Sequence, residues 1–402
     1  MTPFNKPYIT EKDMLYNVDE VKNNQLCNEI IIEKRDKIYF GGLNELRAIA
    51  ALGVVAHHIE QFKGMNGLYI TNPNLSFLIH NLGKAGVDLF FVLSGFLITY
   101  LLLLEKENNF GRIDILKFYL RRVFRIWPLY YLIMFISFVV IPLLSNFYFF
   151  DNNMSLLNSI HNPDNYSFNT IALYLCFLPQ FANVVIGASQ SWSIGVEEQF
   201  YLIMPIMLSF FSKKAFFGFI LLLLSIYFIP IYEIHQWFYA VTKFFRFMII
   251  GVIGGYLYSY NLKTISNLTK SKYPYFLIVI LIISLSFFIV FENNLNRYVL
   301  GVLFLFLILF TVNSSNKLVF KNKLMSYLGK ISYGIYMYHT FVLFLIFPLA
   351  NKYFLEKEGN TIPYTLFLYL ASYSVTILIS IVSYEWFESK FIRFKDLKYK
   401  VK

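Results

Sequence analysis

From residue 43 onward, long apolar runs are broken only by short polar, basic or glycine-containing stretches. A helix that crosses a bilayer needs about 20 mostly apolar residues. Runs of that kind lie near 43–62, 87–104, 126–149, 168–186, 192–211, 215–232, 238–260, 273–291, 297–313, 331–349 and 363–387. Residues 1–40 are different. They are polar, carry six Lys/Arg against seven Asp/Glu, and lack the apolar centre of a cleaved leader. The pattern predicts a cytoplasmic N-terminal extension over 1–40, a single transmembrane domain over 41–394 and a basic cytoplasmic tail over 395–402.

One of the eleven runs is doubtful. Segment 168–186 is interrupted by Pro179, Gln180 and Asn183, and the next run follows almost at once. Positive charge discriminates between the two topologies, because Lys and Arg gather in cytoplasmic loops. If 168–186 does not span, loops 105–125, 212–214, 261–272 and 314–330 and the end 388–402 all fall inside, with 21 Lys/Arg between them. The outside then holds Lys63, Lys84, Arg297, Lys352 and Lys357. The expected fold is an all-α polytopic membrane protein of about ten transmembrane helices with both termini cytoplasmic. Segment 168–186 is left as an external or re-entrant element that other protein must cover.

Composition agrees with this. The 402 residues are 57% hydrophobic, 20% aromatic and 15% charged, against roughly 25% charged in a soluble domain. A soluble enzyme, a disordered chain and a nucleic-acid-binding protein are excluded, and the net charge of +11 is accounted for by the loops. Cys27 and Cys176 form neither a disulfide framework nor a metal-ligand spacing, and no metal site is expected.

An ionisable residue near the bilayer centre costs roughly 2.5–3.5 kcal/mol on insertion scales, so each one needs a reason. Arg47 and His58 are eleven residues apart on the first run. That spacing places them on one helix face, roughly 16 Å apart along the axis. His57 points away. Asp88 enters the second run from outside, either to orient or pair with His58 or to cap its helix, and Ser94-Gly95 sit near mid-membrane, where small residues permit close helix approach. Arg122 and Arg125 are three apart, neighbours on a helical face; a guanidinium pair suits a diphosphate, and positive-inside anchoring accounts for it equally well. Glu197 and Glu198 lie near the outer end of a run, Arg246 is a candidate partner for a carboxylate, and Tyr336 and His339 share a helix face. A basic inner end and an acid/base outer end suggest transfer across the bilayer.

Six stretches carry a resemblance: LRAIAALGVVAHH, GVDLFFVLSGFLIT, FYLRRVFRIWPLY, WSIGVEEQFYLIMP, LGKISYGIYMYH and YEWFESKFIRF, in this order over about 43–394. Together they resemble the membrane acyltransferase-3 family, which acylates extracytoplasmic glycans. The resemblance implies a multi-pass protein of the cytoplasmic (inner) membrane, with no bound cofactor. It implies acyl-CoA, most often acetyl-CoA, as cytoplasmic donor and a carbohydrate hydroxyl as acceptor. By position, Arg47 and His58 match the family's Arg-x10-His pair, and Arg122 and Arg125 its Arg-x-x-Arg donor motif. Phe90, Phe91, Ser94 and Gly95 match its second-helix signature, and Glu197 and His339 fall on further family positions.

The expected catalytic set is therefore His58, Arg47, Asp88 and Glu197, with Asp88 or Glu197 orienting His58. Arg122 and Arg125 are expected to hold the donor, with Ser94, Glu198, Arg246, Tyr336 and His339 as acceptor or supporting groups. Some family members carry a fused extracytoplasmic hydrolase-like domain; this chain is expected to be a stand-alone member. Two other functions stay open on the residues alone: a glycan or lipid transporter, and an acyl-delivery partner of another transferase.

Overall fold

The computed structural model describes residues 40, 42–65, 68, 73–146, 154–226, 245–260, 273–288, 294–312, 322–355 and 361–398. Within these the chain is mostly helical, with no strand. Helix α1 (Leu43–Met65) is followed by α2 (Pro73–Asn108) and α3 (Ile115–Phe135), which runs on through a π-turn (Ile136–Val140) to Leu144. Two short helices follow, α4 (Met154–Ile160) and α5 (Phe168–Leu175), then α6 (Ser191–Phe210), α7 (Lys213–Ile226) and α8 (Phe245–Tyr260). The last six are α9 (Tyr273–Phe288), α10 (Asn294–Val312), α11 (Lys323–Lys330), α12 (Ser332–Ala350), α13 (Thr361–Ser383) and α14 (Ser389–Lys398).

Four of these stretches are long and apolar enough to cross a membrane: Leu78–Asn108, Ile115–Leu144, Ser332–Phe354 and Ile362–Phe394. The apolar runs locate the helices well, but two starts move. The second helix begins at Pro73 rather than near 87, and its 36 residues span about 54 Å, well beyond a hydrocarbon core of about 30 Å. The third begins at Ile115 rather than near 126. Asp114 caps it, accepting from the Lys117 amide (3.0 Å) and pairing with Lys117 Nζ (2.8 Å), and this pairing holds its carboxyl below the usual range. A polar cap and a basic first turn are invisible to a hydropathy reading, yet they add a helical arm beneath the apolar run.

Segment 168–186 is the eight-residue α5, a turn and a 3-10 turn at Pro179–Phe181, too short to cross. Tyr130 and Tyr131 of α3 pin it by donating to the carbonyls of Tyr174 (2.7 Å) and Leu175 (3.1 Å). The 394/395 boundary falls inside α14, which continues to Lys398. The expectations for residues 1–39, for 227–244 between α7 and α8, and for 399–402 lie outside the described residues.

Two seams organise the bundle. Along α2 and α8 the backbones nearly touch: a Cβ on Gly95 would overlap the Met248 carbonyl, one on Gly251 the Val92 carbonyl, and one on Gly255 would lie 2.6 Å from the Phe96 carbonyl. The glycines are what allow this approach. The second seam joins α1, α12 and α13 through Val55, Ile59, Phe62, Ile335, Val342, Phe347 and Leu368, all buried. The cavity described next is lined by α1, α2, α3, α6 and α12.

Candidate active site

A cavity of about 160 Å³ is lined by Arg47 from α1, Phe90, Phe91 and Ser94 from α2, Arg122 and Arg125 from α3, Ser193, Glu197 and Tyr201 from α6, and Tyr333 and Tyr336 from α12. Each helix delivers these side chains by simple periodicity. Phe90 and Ser94 are one turn apart on α2, Arg122 and Arg125 three residues apart on α3, and Ser193, Glu197 and Tyr201 repeat every four residues on α6, so each set shares a face.

The cavity's polar groups fall into two kinds. Glu197 is well held: Ser94 Oγ donates to Oε1 (2.8 Å) and Tyr201 OH lies 2.9 Å from Oε2 and 3.1 Å from Ser94 Oγ. Tyr336 OH is likewise engaged, 2.6 Å from Ser193 Oγ and 3.1 Å from the Gln190 carbonyl.

The arginines are not. Arg47 makes one long hydrogen bond, Nη1 to Asn44 Oδ1 at 3.4 Å. Arg122 lies over the rings of Phe118 (5.5 Å) and Tyr201 (5.0 Å). Arg125 is open to solvent and, among the described residues, forms no hydrogen bond or ion pair. The three are near enough to repel one another; Glu197 is near enough to all three to offset them in part, while Glu198 also acts on Arg122 and Glu388 on Arg125. Three guanidiniums with few hydrogen bonds, gathered on one cavity, favour an anion there.

Beyond the cavity, His58 and His339 form a pair. His58 Nδ1 lies 3.0 Å from the Val54 carbonyl and 3.2 Å from His339 Nε2, while His339 Nδ1 lies 2.6 Å from the Tyr336 carbonyl. Their ring centroids are 4.7 Å apart. His57 stands edge-on to His58 at 5.0 Å and faces His80 at 4.7 Å.

Several sequence expectations about neighbours need correction. Asp88 does not meet His58. It is 1% exposed in its side chain, and both its oxygens accept from Arg297 Nη2 of α10, at 3.0 and 3.1 Å. Arg297, counted on the outside at the start of the run 297–313, lies in the first turn of α10 and reaches the buried carboxylate from there. Nor does Glu197 orient His58, since its oxygens are taken by Ser94 and Tyr201 in the arginine-lined cavity. Arg246 is buried, lies over the rings of Phe247 (5.2 Å) and Tyr298 (5.3 Å), and acts electrostatically on Asp88. Glu198 accepts from Trp127 Nε1 at 3.2 Å on a different face from its neighbour.

Sequence reasoning also passed over Tyr201, Ser193 and Arg297. For Tyr201 a signal existed, four residues beyond Glu197 on one helix. Arg297 had none, because its partner is 209 residues away.

The profile of the acyltransferase-3 family, an acyltransferase domain, matches residues 40–381. Among curated relatives, a protein named "Putative O-acetyltransferase" from Staphylococcus aureus strain COL is 27% identical over 384 residues, covering 88% of this chain and 57% of its own. O-acetyltransferase OatA of Staphylococcus aureus strain NCTC 8325 / PS 47 is 26% identical over 389 residues, covering 90% of this chain and 58% of its own. "Putative peptidoglycan O-acetyltransferase YrhL" of Bacillus subtilis strain 168 is 33% identical over 170 residues, 42% of this chain and 24% of its own. The chain thus spans little more than half the length of the first two. No solved structure matches. With six motifs in order and a family profile that covers most of its length, the chain belongs to the acyltransferase-3 family.

Proposed function

We propose that the chain is a membrane O-acyltransferase that moves an acyl group, most simply acetyl, from acyl-CoA to a carbohydrate hydroxyl on the far side of the bilayer. The observation that carries this reading is the set of three under-bonded arginines around one cavity. A CoA diphosphate is the kind of anion such a set grips, with Arg122 and Arg125 as forks and Arg47 beside the thioester. The acceptor hydroxyl loses its proton to His58, its oxygen attacks the thioester carbonyl, the C–S bond breaks, and the departing thiolate takes up a proton. A neutral imidazole is suited to such a base.

The topology that goes with this reading has ten spans, both termini in the cytoplasm and α3 entering from the cytoplasmic side. That places the donor cavity within reach of cytoplasmic acyl-CoA in the inner membrane. The names of the relatives favour a glycan of the cell wall, peptidoglycan above all, as acceptor.

The test uses the protein in sided liposomes, with radiolabelled acetyl-CoA at the Arg122/Arg125 face and muropeptides at the other. Acetyl-CoA-dependent CoA release with label on the sugar is expected, and loss of both in His58→Ala. Label transfer retained in His58→Ala overturns the assignment of the base. Movement of glycan without CoA release overturns the enzyme reading in favour of transport.

A further inference from the structure

We propose that His339 is the positioning residue for His58, fixing which ring nitrogen carries the proton and thus which one is free to act as base. The proposal rests on His58 being the base. A carbonyl oxygen only accepts, so His339 Nδ1, 2.6 Å from the Tyr336 carbonyl, carries that ring's proton, and in the neutral ring Nε2 is a lone pair. His58 Nδ1 then faces two acceptors at once, the Val54 carbonyl at 3.0 Å and His339 Nε2 at 3.2 Å. Its proton therefore sits on Nδ1, and Nε2 of His58 is left unprotonated.

When Nε2 takes the acceptor's proton, the ring becomes a cation that donates more strongly from Nδ1, and His339 receives that bond. In soluble enzymes a carboxylate commonly holds a histidine in this way. Here a neutral imidazole does so, and no ionised group has to be buried beside the base.

The surroundings hold His339 firmly. It is wholly buried. On the same helix Thr340 Oγ1 donates to Gln190 Oε1 (2.7 Å), while Gln190 Nε2 donates to the Met337 carbonyl (2.7 Å). These bonds clamp α12 to the turn before α6, so His339 approaches α1 from a fixed element. The other rings nearby are His57, edge-on to His58, and Tyr336, 5.8 Å from His339; neither has a bond to His58 Nδ1 among the described residues.

The experiment compares the parent, His339→Gln, His339→Asn, His339→Leu, His58→Ala and the double variant His58→Ala/His339→Leu in liposomes, following CoA release from acetyl-CoA with muropeptides present. Gln reaches His58 Nδ1 with an acceptor oxygen, whereas Asn reaches only the position of Nδ1 and keeps the bond to Tyr336. Leu and Asn are expected to lower kcat about tenfold or more with KM for acetyl-CoA unchanged, and Gln to recover most of the rate. The two single losses are expected not to add: whatever CoA release is left in His58→Ala stays the same in the double variant, the mark of residues that act as a unit.

Equal rates in the parent and His339→Leu, equal loss in Gln and Asn, or an additive loss on His58→Ala would each overturn the positioning role while leaving the acyltransferase reading intact. A parent that releases no CoA overturns that reading, and this proposal with it. Should His339→Leu fail to fold, the Gln–Asn comparison decides alone.

Discussion

Two of the groups of charge inside this bundle differ in how far they are satisfied. Asp88 and Arg297 bond to each other across α2 and α10, with Asp88 almost fully buried. Arg47, Arg122 and Arg125 surround a cavity with one long hydrogen bond between them. A closed pair holds helices together; an unclosed set is held in place by the helices and leaves its charge for the anion proposed above. Degree of closure, more than sequence position or depth, separates architecture from chemistry here.

The largest expected effect breaks the closed pair. Asp88→Ala leaves Arg297 without its buried partner and is expected to cost about 3–5 kcal/mol, read as a fall in detergent melting temperature and in membrane yield. The swap Asp88→Arg/Arg297→Asp should recover part of that. If Asp88→Ala melts like the parent, the pair is not structural and the comparison fails.

Next comes the opposite case. Arg125→Ala is expected to lower acetyl-CoA turnover about tenfold to a hundredfold, the loss of a charged hydrogen bond, with melting unchanged because Arg125 forms no hydrogen bond or ion pair among the described residues. Arg122→Lys sharpens the point: it keeps the charge and loses the fork, so CoA affinity should fall less than in Arg122→Ala but clearly below the parent. Equal affinity for Lys and Arg would show that charge alone is read. The smallest effect belongs to Tyr201→Phe. Glu197 then keeps only Ser94 as donor, about 0.5–1.5 kcal/mol weaker, and turnover should drop a few-fold with little change in melting.

Helix positions were legible because the apolar runs are long, and α1, α6, α12 and α13 start within two residues of where hydropathy places them. The starts of α2 and α3 were not, since polar turns can continue a helix below the membrane. At the site, Arg47, Arg122, Arg125, Ser94, Glu197 and Tyr336 were all selected from the sequence and all line one cavity. Their pairing was less readable. Hydropathy put Glu197 and Asp88 with His58 by depth along the membrane normal, but which side chains meet depends on rotation about the helix axis and on which helices adjoin. Asp88 and Arg297 are 209 residues apart, and no local spacing announces them. The partner of His58 turned out to be His339, another residue the sequence had singled out but had not joined to it.

The glycine seam between α2 and α8 has a mechanical consequence. Where two backbones touch without side chains between them, there are no rotamers to rearrange and almost no slack, so the two helices behave as one thick beam. Ser94 is the neighbour of Gly95 in that beam, so one wall of the cavity is rigid by construction. Any breathing that admits a substrate must therefore come from the other walls, α1, α3, α6 or α12. A single methyl shows whether the beam is real: Gly95→Ala should wedge it open at a cost of about 1–3 kcal/mol, and amide exchange along α2 should quicken while that of α13 stays as it was.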